Sequence, residues 1–268
     1  MSEEQKSSIR RKRSTFGVVF LIIFLDMVGF SVIFPLFPDM LDYYLERESE
    51  GGILKSFVAS IEGMSFDADE STNPSFRFET VIFGGVLGSL YAVLQFFFAP
   101  IWGRLSDKYG RRPILLMTVG GTCLGYGLWV FAGSFWVLVL SRIVGGIASG
   151  NLSVATASIA DVTSRESRSK GMALVGVAFG LGFILGPALG GLASLVEPLG
   201  GDGQGAFVLN KFSLAALISL ALGGLNWFWL AKRFKETLPP EKRAEVNAPE
   251  PGIFKMGKVS NPAVRKTC

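Results

Sequence analysis

Six apolar runs, separated by polar stretches, set the layout of this chain. They cover residues 16–37, 80–102, 113–132, 135–160, 171–196 and 206–231. Each comes close to or exceeds the roughly 20 residues that cross a hydrocarbon core, so the pattern predicts six transmembrane helices. The first run is longer than a signal-peptide core and lacks a small-residue cleavage site, which predicts a retained helix and not a cleaved leader. Between the runs lie a basic tail at 1–15, a polar insert at 39–79, a Gly-rich turn at 197–205 and a tail with several prolines at 232–268. The short apolar stretch 53–61 within the insert is expected to form an interfacial helix, and the insert as a whole is expected to be a mobile extracytoplasmic loop.

Basic residues orient the runs. Of the 26 Lys and Arg, 21 fall in the two tails, in the connection after residue 102 and in the connection before residue 171, whereas the 39–79 insert holds three bases against ten acids. Positively charged loops stay on the cytoplasmic side. Six helices with both termini cytoplasmic is the arrangement that fits, in a cytoplasmic or inner membrane. The domain plan is therefore a tail at 1–15, a six-helix bundle at 16–231 and a cytoplasmic linker at 232–268.

Composition agrees. Hydrophobic residues make up 49% of the chain and charged residues 18%, with a mean hydropathy of +0.43, which is outside the range of ordinary soluble domains. The net charge of +4 lies beside apolar runs and does not form a patch with stacking aromatics, so nucleic acid is not an expected partner. Two cysteines, Cys123 and Cys268, offer no disulfide framework, and the absence of histidine removes the usual zinc ligand. No metal or cofactor is expected. Proton chemistry falls to carboxylates. With no nucleophile–base pair or phosphate-cradling loop in view, the chain is not expected to be an enzyme.

Two charges interrupt the apolar runs. Asp26 lies near the middle of the first, where an acid costs roughly 2.5 to 3.5 kcal/mol on insertion scales and must face a cavity or a partner. Gly29, Phe30 and Ile33 share its face. Arg142 lies two turns into the fourth run, with Gly146, Gly150, Ser149 and Ser153 on or beside its face. Either charge could instead be structural: Asp26 as half of a salt bridge, Arg142 as a snorkelling side chain. Tyr91 and Gln95, one turn apart on the second run, and Asn151 on the fourth are candidates to line a cavity. Ridges of small residues, Gly84 with Gly88 and Gly121 with Gly125, suit close helix packing in lipid.

Two local motifs are more specific. Between the second and third runs the chain reads GRLSDKYGRR over 103–112, in which Gly103 and Gly110 are expected to shape a tight reversal and Pro113 to open the next helix. In the fifth run, Gly182, Gly186, Pro187, Gly190 and Gly191 spell G-x-x-x-G-P-x-x-G-G. A mid-helix proline removes a hydrogen bond, and the glycines leave room for a neighbour.

The first motif resembles the signature loop of the major facilitator superfamily of secondary transporters, with Lys108 where the family usually has Arg. FLDMVGFSVIFPLFP resembles the first helix of bacterial drug/proton antiporters of the tetracycline-efflux type. LVLSRIVGGIASG is similar to the family's fourth helix, with Gly145 in place of its frequent Gln, and the fifth-run motif matches the pattern of the antiporters. Over approximately 16–240 the resemblance implies an all-α membrane protein, a six-helix bundle of two inverted three-helix repeats, equivalent to half of a major facilitator fold. It also implies proton coupling by Asp26, modulated by Arg142. Gating would fall to the signature-loop residues Gly103, Asp107, Gly110, Arg111 and Arg112, with Asp161 pairing one of those arginines, and to the fifth-helix motif. The expected partners are the lipid bilayer, a small-molecule substrate, protons, and a second six-helix unit, either a missing C-terminal half or a second chain. Export of a small amphiphilic compound or drug is the leading expectation. A metabolite or sugar facilitator or symporter of the same superfamily, and a non-transporting assembly module or inactive fragment, are the alternatives.

Overall fold

The computed structural model describes residues 3–49, 51–62, 78–196, 205–239 and 243. Most of the 63–79 half of the insert, the 197–204 turn and nearly all of the tail after Pro239 lie outside the described residues. The regular structure of the described residues is helical, apart from one isolated bridge between Ala132 and Phe207. The helices are α1 (Glu3–Ser31), α2 (Phe37–Arg47), α3 (Ile53–Glu62), α4 (Phe78–Tyr109), α5 (Arg111–Val130), α6 (Phe135–Ala148), α7 (Asn151–Val162), α8 (Arg165–Ser194) and α9 (Ser213–Arg233). Together they give six spans long and apolar enough to cross a membrane.

Several boundaries differ from the apolar pattern for identifiable reasons. Helix α1 begins at Glu3 and not at Phe16, because Glu, Gln, Lys and Arg are good helix formers and nothing before Gly17 stops the helix. The first span does not end near Phe37. A 3-10 turn over Phe34–Leu36 leads into α2, and Pro38 sits in the first turn of α2, where a missing N–H costs nothing. The start of the insert is thus a helix packed into the bundle, with Met40, Leu41, Tyr43 and Tyr44 buried, and not a loose loop. The Tyr44 hydroxyl anchors it by donating to the Ala132 carbonyl at 2.8 Å. The 53–61 helix is present as α3, with the Glu48 carboxylate accepting the backbone N–H groups of Leu54 and Lys55 at its start.

Only one of the two signature-loop glycines makes the reversal. Helix α4 continues through Gly103 to Tyr109, and a Cβ on Gly103 would make an ordinary 3.4 Å contact with Ser153 Oγ. Gly110 turns the chain alone, with φ of +107°, a conformation that favours glycine. Pro113 lies in the third helical position of α5, still within the turn whose N–H groups have no intrahelical partner.

The interior is layered along the helix axes. One apolar core gathers Ile33, Leu36, Met40, Trp129, Leu138 and Ala216. A second gathers Val19, Ile22, Leu115, Val154, Ile159 and Leu230. Helices α5, α8 and α9 contribute to both cores, the first span does so through α1 and the turn that follows it, and the fourth through α6 in one core and α7 in the other. The residues between the two contributions are polar and buried: Asp26, Thr122, Ser141, Arg142, Ser149, Asn151, Ser219 and Asn226. A polar belt therefore crosses the bundle between two greasy layers.

Helix α1 packs most extensively against α8, and the fifth-run glycines explain how. A Cβ on Gly182 would press on Met27 and on the Phe24 carbonyl, one on Gly186 would overlap Ser31 Oγ, and one on Gly190 would overlap the Val32 carbonyl. The two backbones are close enough for Ser31 Oγ to donate to the Gly182 carbonyl at 3.1 Å. Gly191 faces open space. Pro187 lies inside α8, where it removes the N–H that would bond the Phe183 carbonyl.

Candidate functional site

The polar belt is built around a break in the fourth span. Helix α6 ends at Ala148, Ser149 departs from helical geometry with ψ of +49°, and α7 starts at Asn151. In an unbroken helix the Ile147 carbonyl would accept the Asn151 N–H. Here Trp102 Nε1 donates to it at 2.7 Å, and Gln95 Nε2 reaches the Ser149 carbonyl at 3.3 Å. Both donors come from α4, so a neighbouring helix satisfies the backbone that the break sets free. Gly150 has no room for a side chain, because its Cβ would overlap the Trp102 indole.

Opposite the break lies Asp26, 6% exposed. It packs with Ile22, Ile23, Asn151 and Leu152 around a gap that has no room for a water molecule. The Asn151 amide faces the carboxyl, but its Nδ2 has no hydrogen bond of good geometry, while its Oδ1 accepts the Leu152 N–H. Asn226 of α9 borders the same wall through its 3.0 Å bond to the Ile22 carbonyl.

Arg142 lines a second gap, of about 10 Å³, with Tyr91, Thr122, Gly125, Tyr126, Ser141 and Gly145. Its guanidinium lies 4.9 Å over the Trp129 ring and its Nε reaches Ser141 Oγ at 3.4 Å. Among the described residues Arg142 and Asp26 form no ion pair. The guanidinium turns toward α5, whereas the acid turns toward α7, and Tyr91 and Tyr126 lie within electrostatic reach of both charges.

At one membrane face, charges meet directly. Arg111 Nε binds Asp161 Oδ2 at 2.9 Å, and its Nη1 binds Asp107 Oδ1 at 2.7 Å and Ser106 Oγ at 2.6 Å. Arg112 donates instead to the Ala231 carbonyl at the end of α9. Glu236, which the sequence reading did not single out, completes the assembly: its carboxylate accepts the backbone N–H groups of Arg111 at 2.9 Å and Arg112 at 3.2 Å. A carboxylate at a helix N-terminus satisfies free donors and complements the helix dipole. A signal was available, since α5 starts Gly-Arg-Arg with no Ser, Thr or Asp to cap it and must borrow a cap from elsewhere.

Of the cavity candidates, Tyr91 lies beside Arg142, Asn151 beside Asp26, and Gln95 at the helix break. Trp102, Tyr126, Trp129 and Asn226 were missed, because their apolar or packing character hides polar contacts that only the assembled bundle creates.

Comparison with known proteins agrees with this architecture. Residues 19–264 match the Major Facilitator Superfamily, and the chain belongs to that family. It is 37% identical over 239 residues to the human major facilitator superfamily domain-containing protein 10, a match covering 87% of this chain and 47% of that protein. To the class B tetracycline resistance protein of Escherichia coli it is 33% identical over 224 residues, covering 84% of this chain and 45% of that protein. The crystal structure of the human organic anion transporter MFSD10 (TETRAN) superposes with a TM-score of 0.71 at 34% identity, over 87% of this chain and 50% of that one. The chain spans about half the length of the curated relatives it matches. It is a multi-pass membrane protein with the architecture of half a major facilitator fold.

Proposed function

We propose that this chain forms one six-helix half of a secondary transporter that exports a small amphiphilic compound in exchange for protons, working with a second six-helix bundle. The observation that carries the reading is Asp26: a carboxyl held in the middle of a span, facing a helix break and a neutral amide. Asn151 can serve either protonation state, because a carboxylate accepts from Nδ2 and a carboxylic acid donates to Oδ1. A group with partners in both states can take up and release a proton without disrupting its surroundings. The tetracycline resistance proteins and the organic anion transporter among its relatives support a small-molecule substrate.

Helices α4 and α8 leave apolar faces uncovered, with Val86, Val93 and Phe97 on one and Val177, Ile184 and Leu185 on the other. These are the faces against which the second bundle would rock. Arg111, Asp107, Asp161 and Gly110 hold the cytoplasmic ends of α4, α5 and α7 together and would part and re-form as access alternates. The packing of α1 on α8 through Gly182, Gly186 and Gly190 would keep the proton site aligned with that movement.

The test uses the complete transporter in everted vesicles. Asp26→Asn keeps the shape of the side chain and removes its charge, so it should insert and fold normally while failing to move substrate against a gradient. Uphill efflux at the wild-type rate by a well-folded Asn variant would rule out Asp26 as the coupling residue.

A further inference from the structure

At the membrane face of the Arg111 cluster, the cations that the lock does not use gather at the end of α9. Arg112, Lys232, Arg233 and Lys235 are all exposed. Among the described residues none of their side chains pairs with a carboxylate; the ion pairs of this face belong to Arg111 and Arg243. Arg112 enters from α5 and is fixed in place, because its Nη2 donates to the Ala231 carbonyl at 2.7 Å and so lies beside Lys232. That bond already answers the negative end of the α9 dipole. Lys232 and Arg233 add positive charge in adjoining positions, and like charges this close repel one another unless an anion sits among them. Glu236 is not that anion, since its carboxylate is engaged by the backbone N–H groups of Arg111 and Arg112 and by Arg243.

Two of these charges also fold back toward the lipid. Lys232 Nζ lies 4.4 Å over the Phe228 ring, and the Arg233 guanidinium 5.4 Å over the Trp229 ring. Each ring is one turn back along α9, so the cations are held over the membrane-spanning part of the helix instead of reaching out from its end. Phe228 is itself 51% exposed. Trp227 donates its indole N–H to the Leu116 carbonyl of α5 at 3.1 Å and seats against Gly120, where a Cβ would lie 3.5 Å from Nε1. Tryptophan is enriched at the headgroup level of a bilayer. Leu225 on α9 and Met117 and Leu124 on α5 continue an exposed apolar surface away from the charges. That surface belongs to α5 and α9, and not to the α4 and α8 faces assigned to the second bundle.

We propose that Arg112, Lys232 and Arg233 form a headgroup site for an anionic phospholipid, with its phosphate among these cations and its acyl chains along the seam of α5 and α9. The unpaired positive charge selects an anion, to which guanidinium and ammonium groups give charge-assisted hydrogen bonds. The exposed apolar surface next to it selects an anion that carries hydrocarbon chains, which separates a lipid from a soluble phosphate or an acidic peptide. A lipid bound there holds α5 to α9 from outside the bundle, adding to the Trp227 contact. The site depends neither on proton coupling nor on the identity of a transported compound.

Native mass spectrometry of the purified chain in detergent, titrated with phosphatidylglycerol or with phosphatidylcholine of the same acyl chains, tests this. The first retained lipid should half-saturate at a concentration at least about tenfold lower for phosphatidylglycerol. Arg112→Gln with Lys232→Gln should erase most of that preference. Lys232→Gln with Arg233→Gln should do the same, and it leaves the Arg112 bond to Ala231 in place, so it decides the matter if the first pair disturbs the fold. Arg168 and Lys170 are exposed near the start of α8, on the face where Asp161 holds Arg111. Changing both to Gln removes the same charge and should leave the preference within about twofold, because attraction to a lipid surface falls off with distance. Glycerol 1-phosphate at matching concentrations should not displace the lipid. Equal retention of the two lipids would overturn the proposal, as would site variants that keep the preference. A control pair as damaging as the site pairs would replace the site with a diffuse field over the whole face, and displacement by glycerol 1-phosphate would make it a site for soluble phosphate; either result also overturns it.

Discussion

The membrane-face cluster around Arg111 and the belt around Asp26 and Arg142 use the same residue types in opposite ways. At the face, a buried arginine touches two carboxylates and a hydroxyl within 3 Å, so Arg111 and both acids have a direct counter-charge. In the belt, one acid and one base of comparable burial point at different helices and meet only neutral groups. Paired charges lock elements together, whereas charges held apart stay available to a proton or a ligand from outside. Both arrangements cost desolvation, and only the first recovers it within the chain.

The largest effect should come from breaking the lock. Arg111→Met removes the centre of the cluster and strands Asp161, whose side chain is 11% exposed. Losing one partner of a buried pair costs about 3 to 5 kcal/mol. Denaturant titration in detergent should show that loss, and a midpoint within error of wild type would mean that the cluster does not hold the helix ends.

Double-mutant cycles compare the two regions directly. Arg111 and Asp161 touch, so Arg111→Met combined with Asp161→Leu should deviate from additivity by roughly 1 to 3 kcal/mol. Asp26→Asn combined with Arg142→Gln should add to within about 0.5 kcal/mol. A large coupling in the belt would mean that Asp26 and Arg142 do pair in an unseen state, and it would erase the contrast.

The two regions were also unequally legible in the sequence. Glycines at four-residue spacing in the fifth run point to close packing, and α8 does pack on α1 through three of them. The lock was half visible: Asp107, Arg111 and Asp161 stand out as charges at helix ends, but Glu236 lies 125 residues from the N–H it caps, and no local pattern links the two. The belt was visible only as two isolated charges. The break that shapes it occurs in Ala-Ser-Gly-Asn, where a Ser-Gly pair permits a kink without requiring one; it persists because Trp102 and Gln95 on another helix bond the released carbonyls. The apolar run also hid the change of helix at its outer end, where α1 stops at Ser31 and Pro38 sits in the first turn of α2. Propensity describes the segment, and these features belong to its neighbours.

Glu236→Gln is the next smaller step. The amide oxygen can still accept from the Arg111 N–H, but the NH2 group in place of the second oxygen cannot accept from Arg112, and the charge that complements the α5 N-terminus is gone, along with the 3.3 Å ion pair to Arg243. A loss of about 1 kcal/mol is expected, within the range of a helix cap. Raised salt should narrow the difference between the two proteins, because the group is partly exposed and therefore screened. A difference that does not change with salt would assign the effect to packing and not to the charge.

The smallest effect should distinguish the two acids bound to Arg111. Asp107 makes the shorter contact, at 2.7 Å against 2.9 Å, yet its side chain is 43% exposed and that of Asp161 only 11%. Distance alone would rank Asp107 as the stronger partner. Exposure reverses the order, since water solvates the Asp107 carboxylate nearly as well when it is unpaired, and exposed pairs contribute about 0 to 1 kcal/mol. Asp107→Asn should therefore shift the denaturation midpoint barely or not at all, and Asp161→Asn should shift it several times further, because it leaves Arg111 buried against an uncharged amide. If Asp107→Asn proved the more damaging of the two, the stability of this face would be set by contact geometry, and burial would not be what separates the lock from the belt.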